Sequence, residues 1–511
     1  MKSRFIRLIV IIFIASFLTS AGPAFAKEKQ SGVGSAIRQV FKPLVAKAKS
    51  VMFFDPFAAL GLYDPIVRDE NGKAVRTVNF PLVVIWLIAG AVYFTIKLRF
   101  INFRGFIHAI SLLRGKYEDP DSPGDLTHFQ ALSTALSGTV GLGNIAGVAL
   151  AISIGGPGAT FWMVVAGIFG MSLKFAECTL GLKYREIDEN GEIAGGPMYY
   201  LEKAFAKREW VRFGKTLGFT WAFLSILGAL GGGNMFQANQ SFSVCSAQFP
   251  WLKGQGVLFG TVLAILVAIV IFGGVKSIGK VTGTLVPFMA ILYVSTGLII
   301  ILVNIHRVFD VAGLIFAGAF SPPAMKGGFI GVMVMGLRRA AFSNEAGVGT
   351  AAIAHSAAKT REPVAEGVVA LHEPFVDTVV ICTMTAMVLI FSGFHEPSGS
   401  VTGAAMTSAA FGSVFPWFPA VLTVAILLFS FSTLISFAYY GQKCFDFCFG
   451  AFFKKSFGRR IYGIYLFRAI FLLATIVGSA SSVQTVMDYS DVILFGMAFT
   501  NTIGLFLLAD E

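Results

Sequence analysis

The sequence predicts an all-α polytopic membrane protein of eleven transmembrane helices. Ten form a core of two inverted five-helix repeats, with discontinuous core helices 1 and 6, and one extra helix precedes them. Three observations carry this prediction. Of 511 residues, 55% are hydrophobic and only 13% charged, against about 25% charged in ordinary soluble domains; the mean hydropathy is +0.75. Apolar runs of about 20 residues, the length that crosses a bilayer core, recur along the chain. Two of these runs are broken by glycine: ALSTALSGTVGLGNIAGVALAISI (131–154), with glycines at 138, 141, 143 and 147, and a second stretch interrupted at FSNEAGVGT (342–350). Broken spans at matching places in two halves of a membrane chain mark a secondary transporter built on inverted repeats. Their free N–H and C=O groups at bilayer depth cost several kcal/mol unless they bind something.

At the N-terminus, residues 1–26 read as a signal peptide: basic residues at 2, 4 and 7, an apolar run from Leu8 to about Leu18, and a small-residue AFA site ending at Ala26. An uncleaved anchor helix is the alternative. Residues 27–79 carry nine basic residues and the stretch AIRQVFKPLVAKAKS. They form either an external amphipathic arm along the membrane surface or a loosely ordered one. The extra transmembrane helix is expected at 80–96. The first repeat (127–303) holds spans near 129–154, 157–182, 216–240, 256–274 and 281–303. The second (328–508) holds spans near 328–356, 364–393, 417–442, 461–479 and 484–508.

The net charge of +12 belongs to the loops rather than to a nucleic-acid partner. Five Lys/Arg lie in 97–116, seven in 183–215 and five in 443–460, against none in 394–418, one in 249–256 and two in 304–327. The positive-inside bias places the rich loops and Glu511 in the cytoplasm, the mature N-terminus outside, and the chain in a bacterial cytoplasmic (inner) membrane. Cysteines 178, 245, 382, 444 and 448 show no disulfide or zinc spacing. Gly141-x-Gly143-x-x-Ala146 matches a dinucleotide fingerprint only as text, because no strand precedes it. His372-Glu373-Pro374 and His395-Glu396-Pro397 give no metal motif, and no nucleophile–base set points to an enzyme.

At a helix break, the N-terminal end of one half suits a carboxylate, while C-terminal carbonyls suit Na⁺ or an ammonium group. A zwitterionic amino acid uses both. Hard cations take oxygen ligands. The Ser137 and Val140 carbonyls, with the Thr139 and Asn144 side chains nearby, supply them in the first break, and the hydroxyl pair Ser432–Thr433 lies mid-span in LLFSFSTLISFAYYG. Such hydroxyls also back-bond harmlessly to a carbonyl one turn earlier.

Four blocks extend this reading: TALSGTVGLGNIAGVA (134–149), GGPGATFWMVVAGIFGMSLKFAE (155–177) with GGPMYYLEKAF after it, GLRRAAFSNEAGVGTAAIAHSAA (336–358) and SFSTLISFAYYG (430–441). On them the chain resembles the alanine/glycine:cation symporter (sodium:alanine symporter) family, carriers with a leucine-transporter-like fold. The resemblance implies a small neutral amino acid held between core helices 1 and 6, and Na⁺ as coupling ion between core helices 1 and 8. It implies substrate contacts from Thr134, Gly138, Thr139, Gly141 and Gly143 in the first break, Phe342, Asn344 and Gly347 in the second, and Gln237 and Asn239 from the third core helix. Phe437 borders the pocket. The implied Na⁺ ligands are the Ser137 and Val140 carbonyls with the Ser432 and Thr433 hydroxyls. The sequence departs from the family pattern at Leu142, at Phe437, at FWMVV and at Arg338-Arg339.

Charges in or beside spans are Lys174, Glu177, Arg338, Arg339, Glu345 and Asp377; such residues are functional candidates by default. Lys174 and Glu177, three residues apart, are expected to pair on one helix face. Arg338 and Arg339 are expected to pair with Glu345 or Glu177 as a gate. The implied partners are an amino acid and membrane lipid, without nucleic acid. An H⁺-coupled symporter using Glu345 or Glu177, or a transporter-derived amino acid sensor, are the rival readings.

Overall fold

The computed structural model describes residues 53–61, 65–68, 74–77, 80–117, 119, 121–187, 193–320, 328–395, 403–481 and 483–511. The expected signal peptide lies outside the described residues, as does most of the 27–79 arm. The described part of the arm includes a turn of helix, Pro56–Ala59, and a short antiparallel pair, Ile66–Arg68 with Ala74–Thr77. Asp55 caps that turn, accepting from Phe57 N (3.0 Å) and Ala58 N (2.9 Å) through one oxygen. Its other oxygen accepts from Phe80 N at 2.6 Å, which fastens the arm to the first long helix.

The helices are α1 (Leu82–Lys97), α2 (His128–Thr139), α3 (Val148–Gly155), α4 (Ala159–Lys183), α5 (Val211–Leu230), α6 (Phe236–Gln248), α7 (Gly256–Ile271) and α8 (Gly274–Val303). They continue with α9 (Gly328–Asn344), α10 (Ala351–His355), α11 (Pro363–Ala370), α12 (Thr383–Phe391), α13 (Phe418–Phe457), α14 (Ile461–Ala480) and α15 (Val483–Leu507). Shorter helices, among them Pro197–Lys207, Val308–Phe320 and Ala404–Val414, fill segments expected to be loops. Among the described residues, 7 helices are long and apolar enough to cross a membrane, or 8 if the bent pair α2/α3 is one span. The remaining expected spans are shorter: α1 and α7 have 16 residues each, and the second broken segment divides into 17 and 5.

Local chemistry sets the first break. Thr127 and Gln130 form a reciprocal capping box that starts α2. Val140 then leaves helical geometry (φ −72°, ψ 101°), and the chain resumes as a wide π turn, Gly143–Gly147, before α3. The two halves meet at 50°. In the second break, Glu345, Gly347 and Gly349 take φ of +52°, +90° and +94°, a region glycine enters freely and glutamate rarely. Two further π turns are Gly231–Met235, between α5 and α6, and Phe375–Cys382, between α11 and α12; the second lies against both breaks. Such turns recur at functional sites.

α13 corrects one boundary. A span was expected at 417–442 followed by a basic loop, yet the helix runs unbroken for 40 residues. That is about 60 Å, twice a bilayer core, so much of 443–460 is helix. Nothing in KCFDFCFGAFFKK breaks a helix until Gly458, at φ +79°. Outward faces of α7 and α8 expose Val262, Ile265, Leu266, Ile269, Phe288 and Ile291; an apolar patch of that kind marks a membrane surface.

At the end of the fold that holds the C-terminus, the lead into α2 is sewn to the exit from α10. Asp125 N and Leu126 N donate to Ala357 O (2.9 and 3.0 Å), and Lys359 N donates to Leu126 O (2.7 Å). Arg185, just past α4, donates to four carbonyls at 2.7–2.8 Å: Pro123, Ser356, Ala358 and Thr360. Glu511 lies at the same end, held by Lys183 and Tyr184.

A second close approach joins Gly158, ahead of α4, to the helix Val308–Phe320. A Cβ on Gly158 would stand 2.1 Å from the Gly318 carbonyl carbon. Gly158→Ala is therefore expected to destabilise the protein by at least the ~1–3 kcal/mol typical of overpacking. The readout is a drop of several degrees in the thermal unfolding midpoint of detergent-solubilised protein, with Gly313→Ala, which meets nothing within 4 Å, as the unaffected control.

Candidate substrate and ion site

Both breaks are closed by an asparagine, and both asparagines reach the same turn of helix. Asn144 Oδ1 accepts from Gly141 N (2.8 Å), while its Nδ2 donates to the Asp377 carbonyl (3.0 Å) and to Asp377 Oδ1 (2.7 Å). In the second break, Asn344 Oδ1 accepts from Ala346 N (3.0 Å), and its Nδ2 donates to Thr378 Oγ1 (3.0 Å). Ser343 Oγ and Thr378 Oγ1 both donate to Asp377 Oδ2, at 2.7 and 2.8 Å. The whole cluster is buried. Asp377 was legible only as an intramembrane charge; its position between the breaks was not.

The glycines of the first break let other helices come close. A Cβ on Gly143 would lie 3.4 Å from Ser343 Cα, one on Gly141 3.0 Å from Thr433 Oγ1 and 3.5 Å from Gln237 Oε1, and one on Gly138 3.2 Å from the Tyr440 ring. Gln237 Oε1 is buried without a hydrogen-bond partner among the described residues, while its Nε2 donates to Gly232 O (3.2 Å). Phe437 packs on the backbone at Gly233 and against Tyr440 (5.4 Å between centroids). Phe342 stacks edge-on with Phe236 at 6.1 Å.

Among the expected ion ligands, Ser137 Oγ donates to Ser432 O (2.6 Å) and accepts from Ser436 Oγ (2.9 Å). Ser432 Oγ and Thr433 Oγ1 both donate to Phe429 O, at 2.8 and 3.0 Å. This is the back-bonding pattern, and it leaves each hydroxyl oxygen lone pairs with which to meet a cation. Val140 is buried where the helix ends. Thr134 Oγ1 turns to Gln130 O (2.7 Å) and Thr282 Oγ1 (3.0 Å), and Thr139 Oγ1 to Ala135 O (3.4 Å).

Two expected contacts lie elsewhere. Asn239 Nδ2 donates to Gly478 O (3.2 Å) and Ser481 O (2.6 Å), holding the end of α14. Gly347 faces α1 and α4, where an added Cβ would meet Leu87 at 2.5 Å and Leu173 at 2.8 Å. Ser436 and Tyr440, absent from the expected set, both donate to Thr134 O, at 3.0 and 3.3 Å. Their four-residue spacing from Ser432 puts all three on one helix face, the signal that could have found them.

The expected ion pairs are rearranged. Lys174 pairs with Glu373 (3.2 Å), not with Glu177, whose Oε1 accepts from Asn501 (2.8 Å). Arg338 pairs with Asp491 (2.6 Å), and Glu345 accepts from Thr350, so the expected gate between the arginines and Glu345 or Glu177 is not formed. Lys174 and Arg338 take carboxylates from distant parts of the chain, while Glu345 takes the hydroxyl five residues on. Glu366 is held between two imidazoles, His128 Nδ1 and His355 Nδ1, which links the start of α2 to α10.

A model of the sodium:alanine symporter family matches residues 68–511. The chain belongs to that family. Its relatives span nearly the whole match. The sodium/alanine symporter AgcS of Methanococcus maripaludis is 42% identical over 442 residues, 85% of this chain and 94% of its own. The probable sodium/glutamine symporter GlnT of Bacillus subtilis is 35% identical, over 84% and 85% of the two chains. The putative sodium/proton-dependent alanine carrier YrbD of the same organism is 33% identical, over 85% and 89%. A solved structure of MhsT in complex with L-phenylalanine aligns at a TM-score of 0.49 with 16% identity, over 74% of this chain and 97% of its own; membership rests on the sequence matches. A sodium:alanine symporter family member is a multi-pass membrane protein and a cation-coupled amino acid transporter, not an enzyme.

The pairing of Lys174 gives a contrast to test. Removing one partner of a buried ion pair costs about 3–5 kcal/mol, so Glu373→Gln should lower the thermal midpoint well below that of Glu177→Gln. An equal or reversed ranking would return Lys174 to Glu177.

Proposed function

We propose that this protein imports a small neutral amino acid, alanine or glycine, coupled to Na⁺ by alternating access in a bacterial inner membrane. The observation that carries the reading is the first break itself. Gly141 stands between the Thr433 hydroxyl and the unpartnered Gln237 carbonyl oxygen, and Gly143 lies against Ser343 of the second break. A backbone opened at this depth meets hydroxyl and amide oxygens from two other helices, which suits an ion and a zwitterion together.

In this reading the Ser137 and Val140 carbonyls and the Ser432 and Thr433 hydroxyls hold Na⁺. Gly138, Thr139, Gly141 and Gly143 line the substrate, with Thr134 behind them, Phe342 and Asn344 opposite, and Gln237 and Phe437 closing the sides. Small size follows from the crowding. Tyr440, Phe437 and Gln237 fill the space that the glycines leave, so a long side chain has no room. The inverted five-plus-five repeat and the leucine-transporter-like fold belong to the same proposal, as does a cytoplasmic C-terminus. The seam around Arg185 then closes the inner side.

One Na⁺ entering down ~100 mV gains about 2.3 kcal/mol, and a tenfold gradient adds about 1.4. One ion per solute thus sustains accumulation of roughly a few hundred-fold. A second reading, H⁺ coupling, draws on Glu177, whose Oε2 is buried without a hydrogen-bond partner among the described residues.

The deciding experiment is uptake of radiolabelled alanine into proteoliposomes under an inward Na⁺ gradient, equal K⁺, or a pH gradient. Uptake with Na⁺ alone, reduced at least about tenfold in Thr433→Ala through loss of an ion ligand, is the expected result. Uptake driven by pH and lost in Glu177→Gln would move the coupling to the proton. A companion variant, Gly141→Ala, should raise the alanine KM more than the glycine KM.

A further inference from the structure

An apolar groove between α1, α4 and α9 reaches the second break from the outside of the helix bundle, and encloses about 510 Å³ counting its open mouth. Ile88 and Val92 of α1, Phe169 and Leu173 of α4 and Ala341 of α9 line it, and its floor is Asn344 and Ala346 of the second break. Gly170 lets that floor lie close to α4, for an added Cβ there would stand 3.0 Å from Ala346 Cβ. Asn344 is the one polar side chain in the lining among the described residues, and both ends of its amide are used, by Ala346 N and by Thr378. A polar solute therefore finds no partner here. The mouth is continuous with the outer face of α1, where Ile88 and Val92 also border a shallow hollow with Ile85, Ala89 and Tyr93.

Followed toward the end of the fold that holds the C-terminus, this face leads to charge. Ile88, Val92 and Ile96 recur every four residues as one helix stripe, with Ile96 62% exposed. Past the end of α1 come Arg99 and Arg104, both exposed, with Arg104 Nη1 3.4 Å from the Arg99 carbonyl oxygen and the exposed rings of Phe100 and Phe103 beside them. Lys97 at the end of α1 meets Asp510, which fixes the face on which the arginines stand. From Ile88 to Lys97 the helix runs about 14 Å, close to half of a ~30 Å bilayer core. The groove thus lies near mid-bilayer, one half-thickness from the arginines.

We propose that this groove and the two arginines form a binding site for an anionic phospholipid. Its phosphate rests on Arg99 and Arg104, and one acyl chain runs along Ile96, Val92 and Ile88 to end against the second break. At this depth the surroundings are hydrocarbon, and an unfilled apolar slot forfeits dispersion contacts along its walls. The occupant is a lipid chain rather than a second copy of the protein, because about 510 Å³ is less than two turns of a helix ~10 Å across. Basic residues beside a gap between membrane helices suit an anionic headgroup, and the guanidinium fork matches a phosphate. The chain tip packs on Asn344 and Ala346, so the lipid braces the second break. The site requires only that the protein lie in a bilayer, and depends on neither the solute nor the coupling ion.

The test takes the full chain in detergent, stripped of lipid, and adds back dioleoyl phosphatidylglycerol, dioleoyl phosphatidylcholine, dioctanoyl phosphatidylglycerol or glycerol 3-phosphate. Native mass spectrometry reads the bound lipid, and thermal unfolding reads its effect. Dioleoyl phosphatidylglycerol should stay bound and raise the thermal midpoint by several degrees, and the other three should do so far less at equal concentration. The double variant Arg99→Gln, Arg104→Gln should weaken that retention by about tenfold or more. Val92→Trp, whose indole fills the mouth, should do the same, whereas Ile265→Trp on the exposed face of α7 should not. Equal retention by wild type and both variants, or equal effects of the short-chain lipid, glycerol 3-phosphate or phosphatidylcholine, would each overturn the assignment. A dimer that Val92→Trp dissociates would overturn it in favour of a second copy. If Val92→Trp does not fold, the exposed arginine variant and the chain-length comparison decide alone.

Discussion

Everything distinctive about this fold leans on one buried carboxylate. Asp377 receives the first break through Asn144 and the second through Ser343, while its neighbour Thr378 receives Asn344. Each asparagine serves twice: its oxygen caps a backbone N–H that the interrupted helix cannot satisfy, and its amide nitrogen reaches across to the turn around Asp377. A helix broken in a bilayer is viable only where its loose backbone groups find partners. Here those partners are shared, so neither break can shift without the other. The wide turn Phe375–Cys382 that carries Asp377 follows Pro374 directly; proline removes a backbone donor and disturbs the helical ladder there.

Around that hub, size is set by what is missing. Gly138, Gly141 and Gly143 present bare backbone to Tyr440, Thr433 and Ser343, and Gly233 does the same for Phe437. Large side chains on α13 can therefore approach the first break closely, and little space is left beside it. Farther toward the C-terminal end, three backbone hydrogen bonds, the four carbonyl contacts of Arg185 and the His128–Glu366–His355 set bind the start of α2 to the exit of α10. Both broken helices are thus joined twice, at their breaks and at their ends.

Glycine spacing and hydropathy made the breaks legible in the sequence, because a glycine-rich interruption of an apolar run is a local signal. The hydroxyl pair Ser432–Thr433 and Gln237 were legible for a related reason, as polar residues inside spans. What could not be read was the choice among long-range partners. Lys174 has an acceptable neighbour three residues on, yet Glu373, 199 positions away, takes it. Asn239 and Gln237 are two apart on one helix but turn to different neighbours. Asp377 looked like any intramembrane acid because its partners are 34 and 233 residues distant. The length of α13 was misjudged because hydropathy marks where a span ends, not where a helix does.

The most direct test is to ask whether the two breaks touch. With the five native cysteines replaced, Gly143→Cys and Ser343→Cys place a Cβ 3.4 Å from the opposing Cα, within reach of a disulfide whose Cβ atoms stand about 3.8 Å apart. The account predicts that mild oxidation cross-links most of the protein, that dithiothreitol reverses the cross-link, and that whatever alanine uptake the reduced variant retains is lost while the link is closed. Folded protein that fails to cross-link, or that transports equally well when cross-linked, would contradict a single site shared by both breaks.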